Sequence, residues 1–257
     1  MSDFQTIDYE VRDRVAEITM RRAPVNAVNH ALIDDILAAY ARARADDGVR
    51  AVILTSAFER AFSAGMDLEM IKGSNGLTLR NFLEKLYLGV HDAQYRMGKP
   101  TIAALTGPAR AAGVTLTVTC DVIVASETAS LGYPEIDVGV IPAMHFVHLP
   151  RVIGRHKAFE LLFSGKPVKA VEAERLGLVN HVVPRDQVMA KAREIAAGFA
   201  AKSPVVMRLG RDAYMRVNDF EYRRAIESTV ETMCNIIATA DAQEGLNAFN
   251  EKRKPDW

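Results

Sequence analysis

Short apolar runs alternate with longer amphipathic stretches through the first half of this chain. The runs are rich in Val, Ile, Leu, Ala and Thr, a composition typical of β-strands. They lie at residues 11–20 (which can pair with residues 6–10), 51–55, 101–105 and 122–125. We therefore predict strands at these four places.

The stretches between the runs have apolar residues at intervals of three and four, the spacing of an amphipathic helix. Residues 29–46 show it through Leu32 and Ile36, and residues 77–97 show it over a longer distance. Pro100 ends the second stretch, because proline has no N–H for a helical hydrogen bond. Strand and helix in alternation predict an α/β architecture with right-handed crossovers.

The second half changes character, since almost every segment after Ile141 has helical spacing. The predicted helices cover residues 146–153, 156–163, 171–177, 187–201, 204–217, 220–238 and 241–251. We predict an α/β core over residues 1–200 and a helical region over residues 201–257 that covers the core or meets another subunit. Residues 73–76, which are rich in Gly and Ser, are expected to form a mobile loop.

Composition narrows the classes of function. Among 257 residues, 32 basic and 32 acidic side chains give a formal net charge of zero. This balance gives no reason to expect nucleic acid or an anionic membrane as a partner. No apolar stretch approaches the roughly 20 residues of a spanning helix, and no basic, apolar leader is visible at the start, so we expect a cytoplasmic protein. Cys120 and Cys234 suggest neither a disulfide framework nor a metal site.

Two segments carry the strongest chemical signal. Residues 60–69 and 105–115 each follow an apolar run, turn on small residues and open a helix-like stretch. The start of a helix leaves backbone N–H groups without partners. Two such turns can direct two donors at one oxygen, the arrangement that stabilises an enolate. Alone, the first segment would be an ordinary strand-to-helix turn.

These segments belong to a longer series of motifs that resembles the crotonase superfamily, the enoyl-CoA hydratases and isomerases. The matching motifs are PVNA at 24–27, AFSAGMDL at 61–68, KP at 99–100, GPARAAG at 107–113, CD at 120–121, PE at 134–135, GVIP at 139–142, LFSG at 162–165, AVEA at 170–173, GLV at 177–179 and AFNEKRKP at 248–255. No single motif is decisive, but their order and spacing are specific, and they run from about Ala16 to the C-terminus.

The resemblance implies a spiral of ββα units followed by a helical trimerisation region, and a homotrimer or a hexamer built as a dimer of trimers. It implies an acyl-CoA thioester as substrate and no metal or redox cofactor, coenzyme A being part of the substrate. The thioester oxygen would bind the N–H groups of Met66 and Ala112, where the family usually has glycine in place of Ala112. The implied substrate-binding residues are Ala27, Ala64, Gly65, Asp67, Leu68, Gly113, His145, Phe249 and Lys252.

The catalytic carboxylates decide the expected reaction. Hydratases of this family carry two glutamates, of which one is Glu135 here, while Thr115 occupies the other position. Hydration needs a group for the water and another for the proton at the α-carbon. Moving a double bond from position 3 to position 2 needs one carboxylate, so isomerisation is favoured. The alternatives are hydration with water held by Thr115, and an acyl-CoA-binding protein without catalysis. Without the resemblance, Glu135 would be a solvated loop carboxylate.

Three further residues have open roles. His145 falls where the family lines its acyl pocket and could act as an acid or base, or fill space. With His148 it has the spacing of a metal pair, but no third ligand is evident. Arg110 could recognise a polar acyl group, although pairing at the surface is the expected role. A serine hydrolase is a further alternative, but the chain lacks the Gly-x-Ser-x-Gly elbow.

Overall fold

A computed structural model describes residues 4–71, 76–219 and 221–256 of the chain. Its strands are β1 (Ile7–Arg12), β2 (Val15–Met20), β3 (Ala51–Ser56), β4 (Thr101–Leu105), β5 (Ala109–Arg110), β6 (Val122–Ser126), β7 (Ser130–Gly132), β8 (Val168–Lys169) and β9 (His181–Val183). The main sheet has the order β1-β2-β3-β4-β6-β9 and is parallel except for the β1–β2 hairpin. A small sheet has the order β5-β7-β8.

Helices connect the strands and dominate the second half. They are α1 (His30–Ala45), α2 (Leu68–Ile71), α3 (Gly76–Leu83), α4 (Val90–Tyr95), α5 (Ala112–Val118), α6 (His145–Ile153), α7 (Arg155–Ser164), α8 (Ala170–Arg175), α9 (Val188–Ala200), α10 (Pro204–Asp219), α11 (Tyr222–Ile237) and α12 (Ala240–Asn250). Between α3 and α4 lies a π-helical segment, Glu84–Gly89, so the long helix predicted over residues 77–97 is continuous but changes its hydrogen bonding. Residues 72–75, most of the predicted mobile loop, lie outside the described residues.

The predicted first strand is wrong as a single element. Asp13 and Arg14 have φ values of 49° and 67° and form a tight turn within residues 11–20. Two consecutive residues with positive φ match the turn that best joins twisted antiparallel strands. The result is the β1–β2 hairpin, in which Val11 pairs with Ala16.

The expectation that the chain is almost entirely helical beyond Ile141 also needs correction. The strands β8 and β9 lie in this half, and β9 adds to the edge of the main sheet beside β6. These strands have two and three residues. Such short strands carry no readable periodicity and are stabilised by pairing with distant partners.

Each face of the main sheet has its own apolar cluster. On one face, Ile53, Ile102 and Val124 pack against the alanines of α9. The other face belongs to the large core that includes Leu54 and the buried face of α1. Helices on both faces are the normal cover of a mostly parallel sheet. This arrangement leaves the two ends of the strands as the places where loops and cavities form.

The C-terminal helices pack on the core. Helix α11 contacts α3 and the π-helical segment, and α12 contacts a 3₁₀ turn, Pro134–Val138. The contact with α12 depends on glycine, because a Cβ on Gly245 would lie 2.6 Å from the Val138 carbonyl oxygen. The division into residues 1–200 and 201–257 stays a prediction. Within the residues described, none of the helices has the length and apolar character needed to cross a membrane.

Candidate active site

A cavity of about 570 Å³ lies beside the segments that follow β3 and β4. In open parallel sheets, the carboxyl ends of the strands are the usual place for ligands. Three parts of the chain meet there. The first turn supplies Met66, the second supplies Ala112, and the 3₁₀ turn supplies Glu135. Apolar side chains from the π-helical segment and the C-terminal helices complete the walls.

The two turns present free backbone donors to this cavity. Neither the N–H of Met66 nor that of Ala112 has a backbone or side-chain acceptor within the described residues. Their neighbours are paired, since the Asp67 N–H donates to the Val28 carbonyl and the Ala111 N–H donates to the Gly132 carbonyl. A free N–H at the edge of an apolar cavity is suited to a carbonyl or enolate oxygen.

Glycine is needed in the turns because the turns pack on each other. A Cβ on Gly113 would lie 2.7 Å from the Cβ of Ser63, and one on Gly65 would lie 3.0 Å from that of Ala111. The Arg110 N–H donates to the Ser63 carbonyl at 3.0 Å, which ties one turn to the other. Both glycines were predicted to bind substrate, but neither lines the cavity. Their small size allows close contact between the turns.

Ala111 carries the backbone strain of the second turn. It has φ 46° and ψ −119°, a conformation that L-residues rarely adopt. Ala112 is not among the described residues with positive φ. The alanine that replaces the family's usual glycine at position 112 therefore has an ordinary conformation. The strain, which no sequence pattern indicated, lies directly before Ala112, which lines the cavity and whose N–H has no acceptor among the described residues.

Glu135 is the half-buried acid of the site. Its Oε2 is shielded from solvent and has no hydrogen-bond partner among the described residues. Burial raises the pKa of this carboxyl to about 8, slightly offset by a backbone hydrogen bond. Tyr87 and Tyr133 also have pKa values raised by burial and by the Glu135 charge, so both remain neutral. A carboxyl with such a pKa can accept a proton near neutral pH and return it.

Thr115 occupies the place of the second family glutamate, one turn into α5. It is buried and its Oγ1 lies 3.3 Å from Nε2 of His145, which is buried as well. The imidazole meets the Tyr133 ring edge-on, with centroids 4.7 Å apart. Burial and nearby His148 lower the pKa of His145 to about 3, partly opposed by the Ala111 carbonyl. The hydroxyl is thus paired with a neutral imidazole.

An ion pair connects two segments that border the cavity. Arg22 donates to the Ala27 carbonyl at 2.8 Å and to the Asp67 carboxylate at 2.6 Å. Both acceptors belong to residues that line the cavity, and both were assigned to the substrate from sequence. Arg22 was missed, because an arginine beside a second arginine gives no distinctive pattern. The ion pair fixes the distance between the two segments.

Most of the predicted site residues line one cavity. Those that do are Ala27, Ala64, Met66, Asp67, Leu68, Ala112, Glu135 and Phe249. Those that do not are Gly65, Gly113, Thr115, His145 and Lys252. The other lining residues, none of which was among the predicted site residues, are Glu69, Tyr87, Ala111, Pro134, Asp137, Val138, Val140, Ile141, Met233 and Asn250. Periodicity could find the buried face of their helices but not which helix borders the site.

The remaining polar candidates have structural contacts. Arg110 does not pair at the surface as expected, since its guanidinium donates to the Ser130 carbonyl and hydroxyl at 2.9 Å and joins β5 to β7. Burial is the main factor that lowers the pKa of His148, to about 4. Among the described residues, no group of three His, Cys, Asp or Glu side chains could hold a metal ion.

Comparison with known proteins agrees with this geometry. A crystal structure of an enoyl-CoA hydratase/isomerase from Xanthobacter autotrophicus Py2 superimposes with a TM-score of 0.85 at 31% identity, over 98% of this chain and 100% of the other. A probable enoyl-CoA hydratase of Mycobacterium tuberculosis is 34% identical over 99% of this chain and 98% of its own length. The short-chain-enoyl-CoA hydratase of Clostridium acetobutylicum is 32% identical over 98% and 97%.

The fold is thus that of the crotonase-type enzymes, with an α/β core and a helical C-terminal region, as predicted. Residues 10–257 match the family described as enoyl-CoA hydratase/isomerase. The chain belongs to this family, and it is an enzyme of the hydratase/isomerase type that acts on an acyl-CoA thioester.

Proposed function

We propose that this enzyme moves a double bond from position 3 to position 2 of an enoyl-CoA, with Glu135 as its one acid–base group. The observation that carries the proposal is the contrast between two positions. One oxygen of the Glu135 carboxyl, Oε2, is shielded from solvent and has no partner among the described residues, and the pKa of this carboxyl is raised to about 8. Thr115, where a second carboxylate would stand, shares its hydroxyl with His145.

The proposed reaction uses three groups. The thioester oxygen accepts hydrogen bonds from the N–H groups of Met66 and Ala112. Ionised Glu135 removes a proton from C2, and the C–H electron pair forms a dienolate whose negative charge rests on that oxygen. Protonated Glu135 then gives the proton to C4. The electrons return, leaving a C2=C3 double bond and a restored thioester carbonyl.

Paired substrates test this proposal. The enzyme is incubated with 3-enoyl-CoA and 2-enoyl-CoA of several chain lengths, and isomerisation and hydration are followed separately. We expect 3-enoyl-CoA to become 2-enoyl-CoA faster than either becomes 3-hydroxyacyl-CoA. Hydration faster than isomerisation on every chain length would contradict the proposal. Tight binding of acyl-CoA without turnover would favour the non-catalytic alternative.

Hydration of 2-enoyl-CoA is the second candidate, and the names of the relatives from Mycobacterium tuberculosis and Clostridium acetobutylicum favour it. Here Glu135 would handle the proton at C2, and a water held by Thr115 would attack C3. The pairing of Thr115 with His145 speaks against this, since the hydroxyl would have to exchange its partner. Incorporation of ¹⁸O from labelled water into 3-hydroxyacyl-CoA measures this reaction directly.

A homotrimer, or a hexamer of two trimers, is the proposed assembly. Support comes from the apolar surface of α10, where Val206, Leu209 and Val217 are 70%, 59% and 82% exposed. Contiguous apolar surface of this kind is typical of protein interfaces. Light scattering coupled to size-exclusion chromatography would give the mass of the particle. A monomer of 28.3 kDa at all concentrations would contradict the proposal.

A further inference from the structure

A second cavity, of about 370 Å³, lies at the opposite end of the main sheet. Its lining includes Arg50, directly before β3, and Lys99, two residues before β4, together with the start of α10. None of its lining residues belongs to the cavity that holds Glu135. Its volume is within the range of small-molecule sites in proteins.

Positive charge dominates this second cavity. Six basic side chains and two acidic ones, Asp47 and Asp212, give an excess of four positive charges, although the whole chain is formally neutral. The basic residues are Arg44, Arg50, Arg96, Lys99, Lys202 and Arg208. Such a concentration of like charge in a concave surface attracts anions.

Most of these cations have no partner within the protein. In the ranges 4–71, 76–219 and 221–256, the side chains of Arg44, Arg50, Arg96, Lys202 and Arg208 form no ion pair or hydrogen bond. The Nε of Arg50 is buried and unpartnered. A buried N–H without an acceptor is uncommon and requires an explanation. An anion in the cavity would supply one.

Local backbone geometry holds two of the cations in place. A Cβ on Gly98, which has φ +67°, would lie 3.0 Å from Cγ of Arg208, so glycine permits this arginine to pack over the turn. Lys99 is fixed by donating to the carbonyls of Ala43 and Asp46 at 2.6 Å. The sixteen-residue helix α10 begins here, and the partial positive charge of its N-terminus adds to the field.

The other lining residues are mostly apolar and include an aromatic ring, that of Phe199. The cavity therefore offers cations and an apolar surface side by side. A phosphorylated organic molecule has the matching combination of charge and body, and arginine binds phosphate through paired N–H groups. We propose that this cavity binds the diphosphate group of a nucleotide-type ligand, either a free nucleotide or the nucleotide portion of a coenzyme A molecule.

One structural alternative shares the same residues. Helices α1, α4 and α9 all end beside this cavity, and basic side chains near helix C-termini offset the partial negative charge there. In that case the cations stabilise the helices and bind no ligand. Binding measurements distinguish the two, because dipole compensation requires no saturable anion site.

The test is calorimetric titration of the full-length protein with inorganic pyrophosphate, ADP and free coenzyme A at two salt concentrations. The variant is Arg96→Glu with Arg208→Glu, both exposed in the folded chain. The matched control is Arg216→Glu, on α10 but outside the cavity. We expect one pyrophosphate per chain, and binding weaker by at least about tenfold for each arginine replaced. The control should bind as the wild type.

The two sources give different results. A free nucleotide predicts that ADP binds more tightly than pyrophosphate. The coenzyme A source predicts two coenzyme A molecules per chain, one of which is absent in the double variant. No saturable pyrophosphate binding, or equal weakening in the Arg216→Glu control, would overturn the proposal. A change of oligomeric state in the double variant would also overturn it, by assigning the cavity to a subunit contact. Arg96→Gln with Arg208→Gln repeats the titration without charge reversal.

Discussion

Polar groups that line the candidate active-site cavity and polar groups that do not line it differ in their hydrogen bonding. At the cavity, the 3₁₀ turn Pro134–Val138 places the Glu135 carboxyl in an apolar wall and leaves its Oε2 unpaired among the described residues. Outside the cavity lining, α5 places the Thr115 hydroxyl beside the neutral imidazole of His145. An unpaired buried acid lowers stability, whereas a buried pair is close to neutral. Nδ1 of His145 is also buried without a partner, but of these three residues Glu135 alone lines the cavity, so we propose that Glu135 carries the chemistry.

Removal of the Glu135 carboxylate is expected to have the largest effect on activity. Glu135→Gln keeps the shape of the side chain but cannot take a proton, so we expect kcat to fall by about 10²–10⁴-fold. Binding of acyl-CoA should change little, since the N–H groups of Met66 and Ala112 remain. Steady-state kinetics and calorimetry measure the two effects. Glu127→Gln, an exposed carboxylate outside the cavity, is the control and should keep full activity.

The pH dependence of the reaction tests whether Glu135 or a histidine titrates during catalysis. In the proposed reaction Glu135 acts as base in its ionised form, so with a pKa of about 8 the kcat/KM should rise about tenfold per unit below pH 8 and level off above it. Burial keeps His145 and His148 neutral over this range, with pKa values of about 3 and 4. A bell-shaped profile with a second group near pH 6.5 would show that a histidine takes part.

The same pKa shift has a consequence for stability. The folded protein holds the Glu135 proton up to about pH 8, while the unfolded chain releases it near pH 4.5. The folded state therefore binds more protons between these values, and its free energy of unfolding falls as pH rises through this window. Glu135→Gln removes this dependence. The free energy of unfolding of the variant should therefore exceed that of the wild type by more at pH 9 than at pH 5. Urea unfolding at both values measures it.

A change that disturbs the contact between the two turns should have a smaller effect on activity. Gly113→Ala places a methyl group 2.7 Å from the Cβ of Ser63, so the turns must separate. We expect a loss of about 1–3 kcal/mol in the free energy of unfolding and about a tenfold loss in kcat, because the Ala112 donor moves. Gly198→Ala is the control. That glycine lies inside α9 with open space around it, so alanine should stabilise by about 0.5–1 kcal/mol.

Sequence was sufficient for the parts of the fold with long periodic patterns. The strands at 101–105 and 122–125 and the helices over 29–46 and 204–217 are found within two residues of their predicted bounds. The turn at Asp13 was not predicted, because its signal is a pair of φ angles and not a hydrophobic pattern. The small sheet was missed because its two- and three-residue strands depend on partners far along the chain.

At the site too, contacts between distant parts of the chain could not be predicted from local sequence patterns. Family motifs identified Glu135, Met66 and Ala112, and all three line one cavity. The bond between Thr115 and His145 was not predicted, since thirty residues separate them and no periodic pattern relates α5 to α6. Contacts between side chains of distant elements are decided by packing.

Replacement of Thr115 is expected to change the activity least. It tests whether the hydroxyl of this residue has a structural or a chemical role. Thr115→Val keeps the shape of the side chain and removes the hydroxyl, which leaves Nε2 of the buried His145 without its partner. An unpaired buried nitrogen should reduce stability by about 1–3 kcal/mol. Isomerisation should change by less than about threefold, because Glu135 and both N–H donors are untouched. If the enzyme instead hydrates its substrate with water held by Thr115, the same variant loses hydration almost completely while its stability changes equally. The ratio of the two activities, measured in one protein, therefore separates a structural role of Thr115 from a chemical one.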